Sequence, residues 1–267
     1  MHSALKYNQN LWGAIQCMFT VISALFLRET VTLYGQDKLG YLWVLLRDVV
    51  GIGAFIVIRY IIGLQFEQGM HIVYFMLSGF VIYYIFAESV SKCMTAISAN
   101  TSILTFPHVI PLDLMISRCI LVFFTNIQAA IVIVLIAFAF DINCVISKLG
   151  LLLYCIISIF FLGLGFGILL ASLNVFFPFI SKIWSFFNRF LFLTCGVFFT
   201  INHFPTYLAE ILSYNPILQI IEGTREALSN NYVIFHHLNF YYVNFFILTT
   251  FSLGLLLENA SHRRLEL

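Results

Sequence analysis

Long apolar runs separated by short polar breaks organise this chain. A helix needs ~20 apolar residues to cross the hydrocarbon core of a bilayer. Measured against that length, the runs predict spans over 42–64, 72–90, 114–140, 149–173, 183–201 and 238–257. All are expected to be helices, because backbone groups in lipid must be bonded within their own segment. The run over 11–27 is too short to span comfortably, and Gln16, Thr20 and Ser23 fall at i, i+4 and i+7 as a polar stripe. That pattern predicts an interface helix over 11–36, lying in the membrane plane. No small-x-small cleavage site follows, and the chain runs straight into Arg28-Glu29, which argues against a cleaved signal.

Two stretches between spans carry structure of their own. Residues 92–113 hold Pro107 and Pro111 near their end and leave room for a short helix and a turn. Residues 203–237 are too apolar for a solvated linker: Tyr207, Leu208, Ile211, Leu212 and Tyr214 precede Asn215-Pro216, and Ile217, Leu218, Ile220 and Ile221 follow. Two short amphipathic helices dipping into the outer leaflet account for that pattern. The expected fold is an all-α integral membrane protein of one domain over 1–267, its six-span region covering 42–257.

Composition agrees. The 267 residues are 61% hydrophobic and 9% charged, against roughly a quarter charged in soluble domains. A soluble enzyme, a secreted disulfide scaffold, a disordered chain and a nucleic-acid binder are excluded. In a six-span arrangement Lys6, Arg28, Lys38, Lys92, Arg118, Lys182, Arg263 and Arg264 share one side. Lys148 and Arg225 take the other, with Glu67, Asp141, Glu210, Glu222 and Glu226. The positive-inside bias then makes both termini cytoplasmic.

The chemistry is sparse. The six cysteines show no Cys-x-x-Cys pair and no His at ligand spacing, so no metal or redox site is expected. No phosphate-cradling Gly-x-x-x-x-Gly-Lys-Ser/Thr is present. Gly163, Gly167 and Ala171 lie at four-residue spacing inside an apolar span, a small-residue stripe suited to close helix packing. Arg47 and Asp48 are neighbours that point about 100° apart on a helix and are not expected to pair face to face; snorkelling of Arg47 at the interface is the simpler reading. Arg59 fits contact with phosphate or acidic sugar and equally well anchoring at head groups. Glu88 and Lys92 are spaced for a helical ion pair, and Arg189 reads as a snorkelling residue. His236-His237 lack a nearby carboxylate. The centres of most spans carry no ionisable group, which argues against an ion-coupled carrier and against intramembrane catalysis. Tyr83, Tyr84, Phe86, Phe123, Phe124, Trp184, Phe187 and Phe190 could line a saccharide path, although lipid contact and packing explain dense aromatics as well.

Ordered segments along nearly the whole chain carry a resemblance. They are Leu25-Phe-Leu-Arg-Glu29, Leu39-Gly-Tyr-Leu-Trp43, Ile97-Ser-Ala-Asn100, Phe106-Pro107, Pro111-Leu-Asp113 with Arg118, Tyr214-Asn-Pro216 and Thr224-Arg-Glu-Ala227. In these the chain resembles the membrane subunit of ABC exporters for bacterial capsular polysaccharide, within the capsule and O-antigen export permease family. The resemblance implies a homodimer of six-span subunits in the inner membrane, with the interface helix and re-entrant helices between spans five and six. It implies no cofactor in this chain, with ATP and Mg held by two copies of a separate cytoplasmic P-loop ATPase. Docking is then expected at Arg28, Glu29, Phe106, Pro107, Pro111 and Asp113. A lipid-linked polysaccharide would be the cargo, passed on to periplasmic and outer-membrane export proteins, with Arg59, Tyr83, Tyr84, Phe187, Phe190 and Arg225 as substrate-path candidates. Arg47-Asp48 replaces the family's usual Glu-Pro, and Ile110 stands where a Lys is common. Other readings are an O-antigen or teichoic-acid exporter of the same architecture or, from another class, a secondary carrier or a membrane glycan-modifying enzyme.

Overall fold

The computed structural model describes residues 11–34, 40–100, 109–142, 146–232 and 238–265. Helix α1 (Leu11–Tyr34) is followed by α2 (Gly40–Ile61), a hairpin of β1 (Phe66–Glu67) and β2 (Met70–His71), and α3 (Ile72–Met94). Next come α4 (Ala96–Ala99), α5 (Pro111–Ala139), α6 (Leu149–Phe176) and α7 (Ile180–Thr194). A 3₁₀ turn over Ile201–His203 leads to α8 (Thr206–Ser213), α9 (Pro216–Leu228) and α10 (Phe240–Leu265).

Four of these helices are long and apolar enough to cross a membrane: α3, α5, α6 and Phe240–Ser261 of α10. Helix α2 has 22 residues but carries Arg47, Asp48 and Arg59. The expected fifth span over 183–201 is not one helix. Helix α7 stops at Thr194 after 15 residues, ~22 Å at the α-helical rise and short of the ~30 Å core. The reason is Gly196, whose φ of 77° turns the chain out of helical geometry. Within 92–113 the described residues hold the end of α3 through Met94, the expected short helix as α4, and the start of α5 at Pro111. The last helix continues past the expected 257 to Leu265.

Local chemistry sets the helix starts. Two consecutive positive-φ residues, Gln68 (46°) and Gly69 (80°), close the hairpin, as a tight two-residue turn between antiparallel strands requires. His71 then caps α3, its Nδ1 accepting the Val73 N–H at 3.3 Å. Pro111 opens α5, where its missing N–H costs nothing, and Asp113 accepts the Ile110 N–H at 3.3 Å. Asn215 and Pro216 do the same for α9, Asn215 Oδ1 accepting the Ile217 N–H at 3.0 Å. The two short helices expected from the Asn215-Pro216 break are α8 and α9.

Helix α3 is the central post, buried along most of its length between α5, α6 and α9. Apolar burial contributes little between helices already in hydrocarbon, so close backbone approach and polar bridges must hold the bundle. The glycines of α6 provide that approach on two faces. A Cβ on Gly163 would meet Ser89 Cβ at 3.2 Å, and one on Gly167 would meet Cys93 Sγ at 2.9 Å, both on α3. On the opposite face a Cβ on Gly165 would meet the Phe251 backbone N at 3.0 Å, and one on Gly254 would meet the Gly165 carbonyl oxygen at 3.0 Å. The stripe legible in the sequence therefore packs on α3, and a second glycine contact joins α6 to α10. A smaller apolar cluster of Leu25, Cys93, Ala96, Leu114, Met115, Cys119, Leu164, Ile168 and Ala171 seats α1 against α3, α4, α5 and α6.

Candidate functional site

Where α1 meets the bundle, five polar side chains form one network. Arg118 Nε on α5 donates to Glu29 Oε1 on α1 at 2.9 Å, and its Nη1 donates to the Lys92 carbonyl and Thr95 Oγ1, each at 3.3 Å. Asn100 Nδ2 donates to the same Glu29 oxygen at 3.3 Å, while Asn100 Oδ1 accepts from Arg28 at 3.0 Å. The two-residue step Arg28-Glu29 thus locks α1 to the C-terminal end of α4 and to α5 together. Glu29 and Asp113, expected at a docking surface, are both buried: Glu29 turns inward to Arg118, and Asp113 caps its own helix. Arg28 is exposed. Phe106 and Pro107 lie outside the described residues, while Pro111 is buried at the start of α5. Asn100 and Arg118 were not among the expected coupling residues, though both sit in the segments that carry the resemblance.

A second polar cluster joins α2, α3 and α5. Arg47 Nε donates to Asp48 Oδ1 at 2.9 Å, so the neighbours do pair: the long Arg side chain folds back over the short Asp. Arg47 Nη2 also reaches Glu88 at 3.0 Å, and Asn126 Nδ2 donates to the other Glu88 oxygen at 3.3 Å. Glu88 is therefore engaged by Arg47 and Asn126, and it makes no ion pair with Lys92. Among the described residues Asp48 Oδ2 is buried without a hydrogen-bond partner.

At the opposite end two arginines hold the turn after α7. Arg225 is 0% exposed. It donates to the carbonyls of Gly196 at 2.7 Å, Val197 at 3.2 Å and Phe199 at 3.1 Å, and pairs with Glu222 at 3.0 Å. Its guanidinium lies 3.6 Å from the Phe75 ring centroid on α3, a cation–π contact. The Phe198 carbonyl between them accepts from Arg59 at the end of α2. Four consecutive carbonyls freed by the broken helix are so satisfied by two remote side chains. Glu222 is completed by the Tyr232 hydroxyl at 2.6 Å, and burial pushes that hydroxyl well above the ordinary phenol range, keeping it a donor. Nearby, His203 Nε2 lies 3.2 Å from the Glu67 carboxylate, and Arg59 lies 3.9 Å from it.

Of the path candidates, Arg225 and Tyr83 are interior groups and present no surface to a substrate. Tyr83 donates its hydroxyl to Asn188 at 2.6 Å. Tyr84 is half-buried against Phe80. Phe187 and Phe190 are exposed on α7 beside Phe186 and Leu193, an unpartnered aromatic face. Arg59 is partly exposed. Among the described residues no group of three or more His, Cys, Asp or Glu side chains could hold a metal ion.

The chain is 26% identical over 242 residues to the polysialic acid transport protein KpsM of Escherichia coli, covering 88% of this chain and 91% of that protein. It is 23% identical over 218 residues to the capsule polysaccharide export inner-membrane protein CtrC of Neisseria meningitidis serogroup B, covering 82% and 81%. It is also 24% identical over 265 residues to the O-antigen export system permease protein RfbA of Klebsiella pneumoniae, covering 96% and 95%. The family model for the ABC-2 type transporter matches residues 20–229, and with most of the chain inside that match, it belongs to the ABC-2 type transporter family.

Proposed function

We propose that this chain is the membrane subunit of an ATP-driven exporter that moves lipid-linked capsular polysaccharide across the inner membrane. It carries no ATP site of its own and works with a separate P-loop ATPase, two copies of which serve a homodimer of six-span subunits with cytoplasmic termini. In that arrangement α2, and α7 together with the turn that follows it, complete the six spans, α1 lies in the cytoplasmic interface, and α8 and α9 re-enter from the outer side. Periplasmic and outer-membrane export proteins would receive the polymer.

The observation that carries the reading, beside family membership, is the Arg28–Asn100–Glu29–Arg118 network. It ties the interface helix rigidly to the segment before α5, so a push on either moves both. Arg28 and the chain around Phe106, Pro107 and Pro111 form the proposed ATPase contact, with Glu29 and Asp113 holding that surface in place. Arg59, Tyr84, Phe187 and Phe190 form the proposed lining of the substrate path, backed by Tyr83 and Arg225. The coverage of the O-antigen permease RfbA, 96% of this chain, favours a second reading with the same mechanism and O-antigen as cargo.

Surface polysaccharide after substitution of the partner ATPase's P-loop lysine tests the energy source. Loss of export supports the reading. Continued export that stops when the proton gradient is collapsed identifies a secondary carrier, and glycan turnover without any ATPase identifies an enzyme.

A further inference from the structure

A small pocket of about 200 Å³ lies beside the α1 lock, lined by Glu29, Lys92, Thr95, Arg118, Leu121 and Val122. Its charge is unbalanced. The Glu29 carboxylate is taken up by Arg118 Nε and Asn100 Nδ2. Lys92, exposed on the last turn of α3, makes no ion pair with any described residue. Two cations thus face one carboxylate, and Arg28 stands behind it on Asn100. Leu121 and Val122 of α5, both largely buried, form the apolar floor of the pocket. Lys92 lies in the last turn of α3 and Arg118 is the eighth residue of α5, both helices long and apolar enough to cross a membrane, and basic residues toward the ends of such helices can reach head-group phosphates.

We propose that this pocket binds the phosphate head group of an anionic lipid, with Lys92 and Arg118 as donors, Thr95 beside them and the acyl chain along Leu121 and Val122. The pocket is smaller than the ~300–1,000 Å³ that drug-sized ligands occupy, which suits a phosphodiester and not a run of sugars. Cationic donors converging on a partly desolvated cleft favour phosphate through charge-assisted hydrogen bonds. The apolar floor selects a lipid over an acidic side chain of a docking protein. The assignment does not depend on what the protein exports.

The test is native mass spectrometry of the full chain in mild detergent, titrated with phosphatidylglycerol or phosphatidylcholine. Wild type is expected to retain phosphatidylglycerol selectively. Lys92→Gln, at an exposed position, should fold normally by thermal melting and bind it about tenfold more weakly, the loss of one charged contact. Lys182→Gln, at another exposed lysine, should change nothing. Equal retention of the two lipids by wild type, or unchanged retention by Lys92→Gln, overturns the proposal. If Lys92→Gln instead weakens only co-purification of an ATPase, the pocket is a protein contact and the lipid reading fails. Lipid carried through purification from cells with and without polysaccharide synthesis distinguishes the source. Plain phospholipid in both assigns the site to the bilayer, and a glycan-bearing lipid present only in synthesising cells assigns it to the cargo's anchor; either result supports a phosphate-lipid site.

Discussion

Arg118 and Glu29, 89 positions apart in sequence, meet at 2.9 Å and join α5 to α1. Both side chains are largely shielded, 11% and 8% exposed, so neither charge is fully solvated when its partner is removed. The pair also shares Glu29 Oε1 with Asn100, which makes the α1 attachment a network and not a single bridge.

The losses on removing the two partners should therefore not add. Glu29→Gln and Arg118→Gln are each expected to destabilise by about 3 kcal/mol, the range for an unpaired buried charge. The double variant should be less affected than the sum, because neither charge is then left alone. Thermal melting in detergent gives the stability term. ATPase stimulation in the reconstituted complex should fall in all three variants even where the protein still inserts.

Glycine contacts between helices are expected to tolerate nothing larger. Gly165→Leu and Gly254→Val each drive a side chain into backbone atoms 3.0 Å from a Cβ, and should abolish accumulation of folded protein. Gly150→Ala and Gly51→Ala, with nothing within 4 Å, should be neutral or slightly stabilising, since Ala is the better helix former by about 1 kcal/mol. Monodispersity in size-exclusion chromatography separates the two pairs.

The buried Arg225–Glu222 pair predicts a similar asymmetry at the other end. Arg225→Met leaves Glu222 with only Tyr232 and exposes three carbonyls to loss of their donor, so about 3–5 kcal/mol should be lost. Arg225→Lys should rescue little, because one ammonium cannot span the Gly196, Val197 and Phe199 carbonyls as the planar fork does. Cysteine accessibility around residues 196–199 should rise in both variants.

His71 makes the start of α3 sensitive to acid. Burial lowers its pKa below the ordinary 6.5, so the fold favours the neutral ring whose Nδ1 accepts from Val73. With the folded pKa the lower of the two, this contribution is present above about 6.5 and is lost as pH falls through the folded value. Hydrogen exchange at Val73, corrected for its intrinsic pH dependence, should accelerate toward pH 5. His71→Asn, which caps without titrating, should flatten that response.

Much of this architecture could be read along the chain. The apolar runs located α3, α5, α6 and α10, and the spacing of Gly163, Gly167 and Ala171 identified the face of α6 that packs on α3. Asn215-Pro216 marked the start of α9 through local capping chemistry. What escaped the reading depends on residues far apart. The early end of α7 rests on Gly196 and on carbonyls claimed by Arg59 and Arg225, neither of which lies near residue 196 in sequence. The α6–α10 contact required knowing that Gly254 faces Gly165. Arg47 and Asp48 were judged by their directions on a helix, which ignores the reach of the Arg side chain. At the α1 lock, Arg28 and Glu29 stood out as charges beside an apolar helix, but their partners Asn100 and Arg118 become visible only when α1 folds back on α5.

The most direct test of the exporter account is the composition of the complex that the tagged protein carries through purification in mild detergent. The account predicts a P-loop ATPase at equal stoichiometry with this subunit, bound to wild type and weakened by Glu29→Gln. An intact, folded subunit that reproducibly purifies without any ATPase would contradict it.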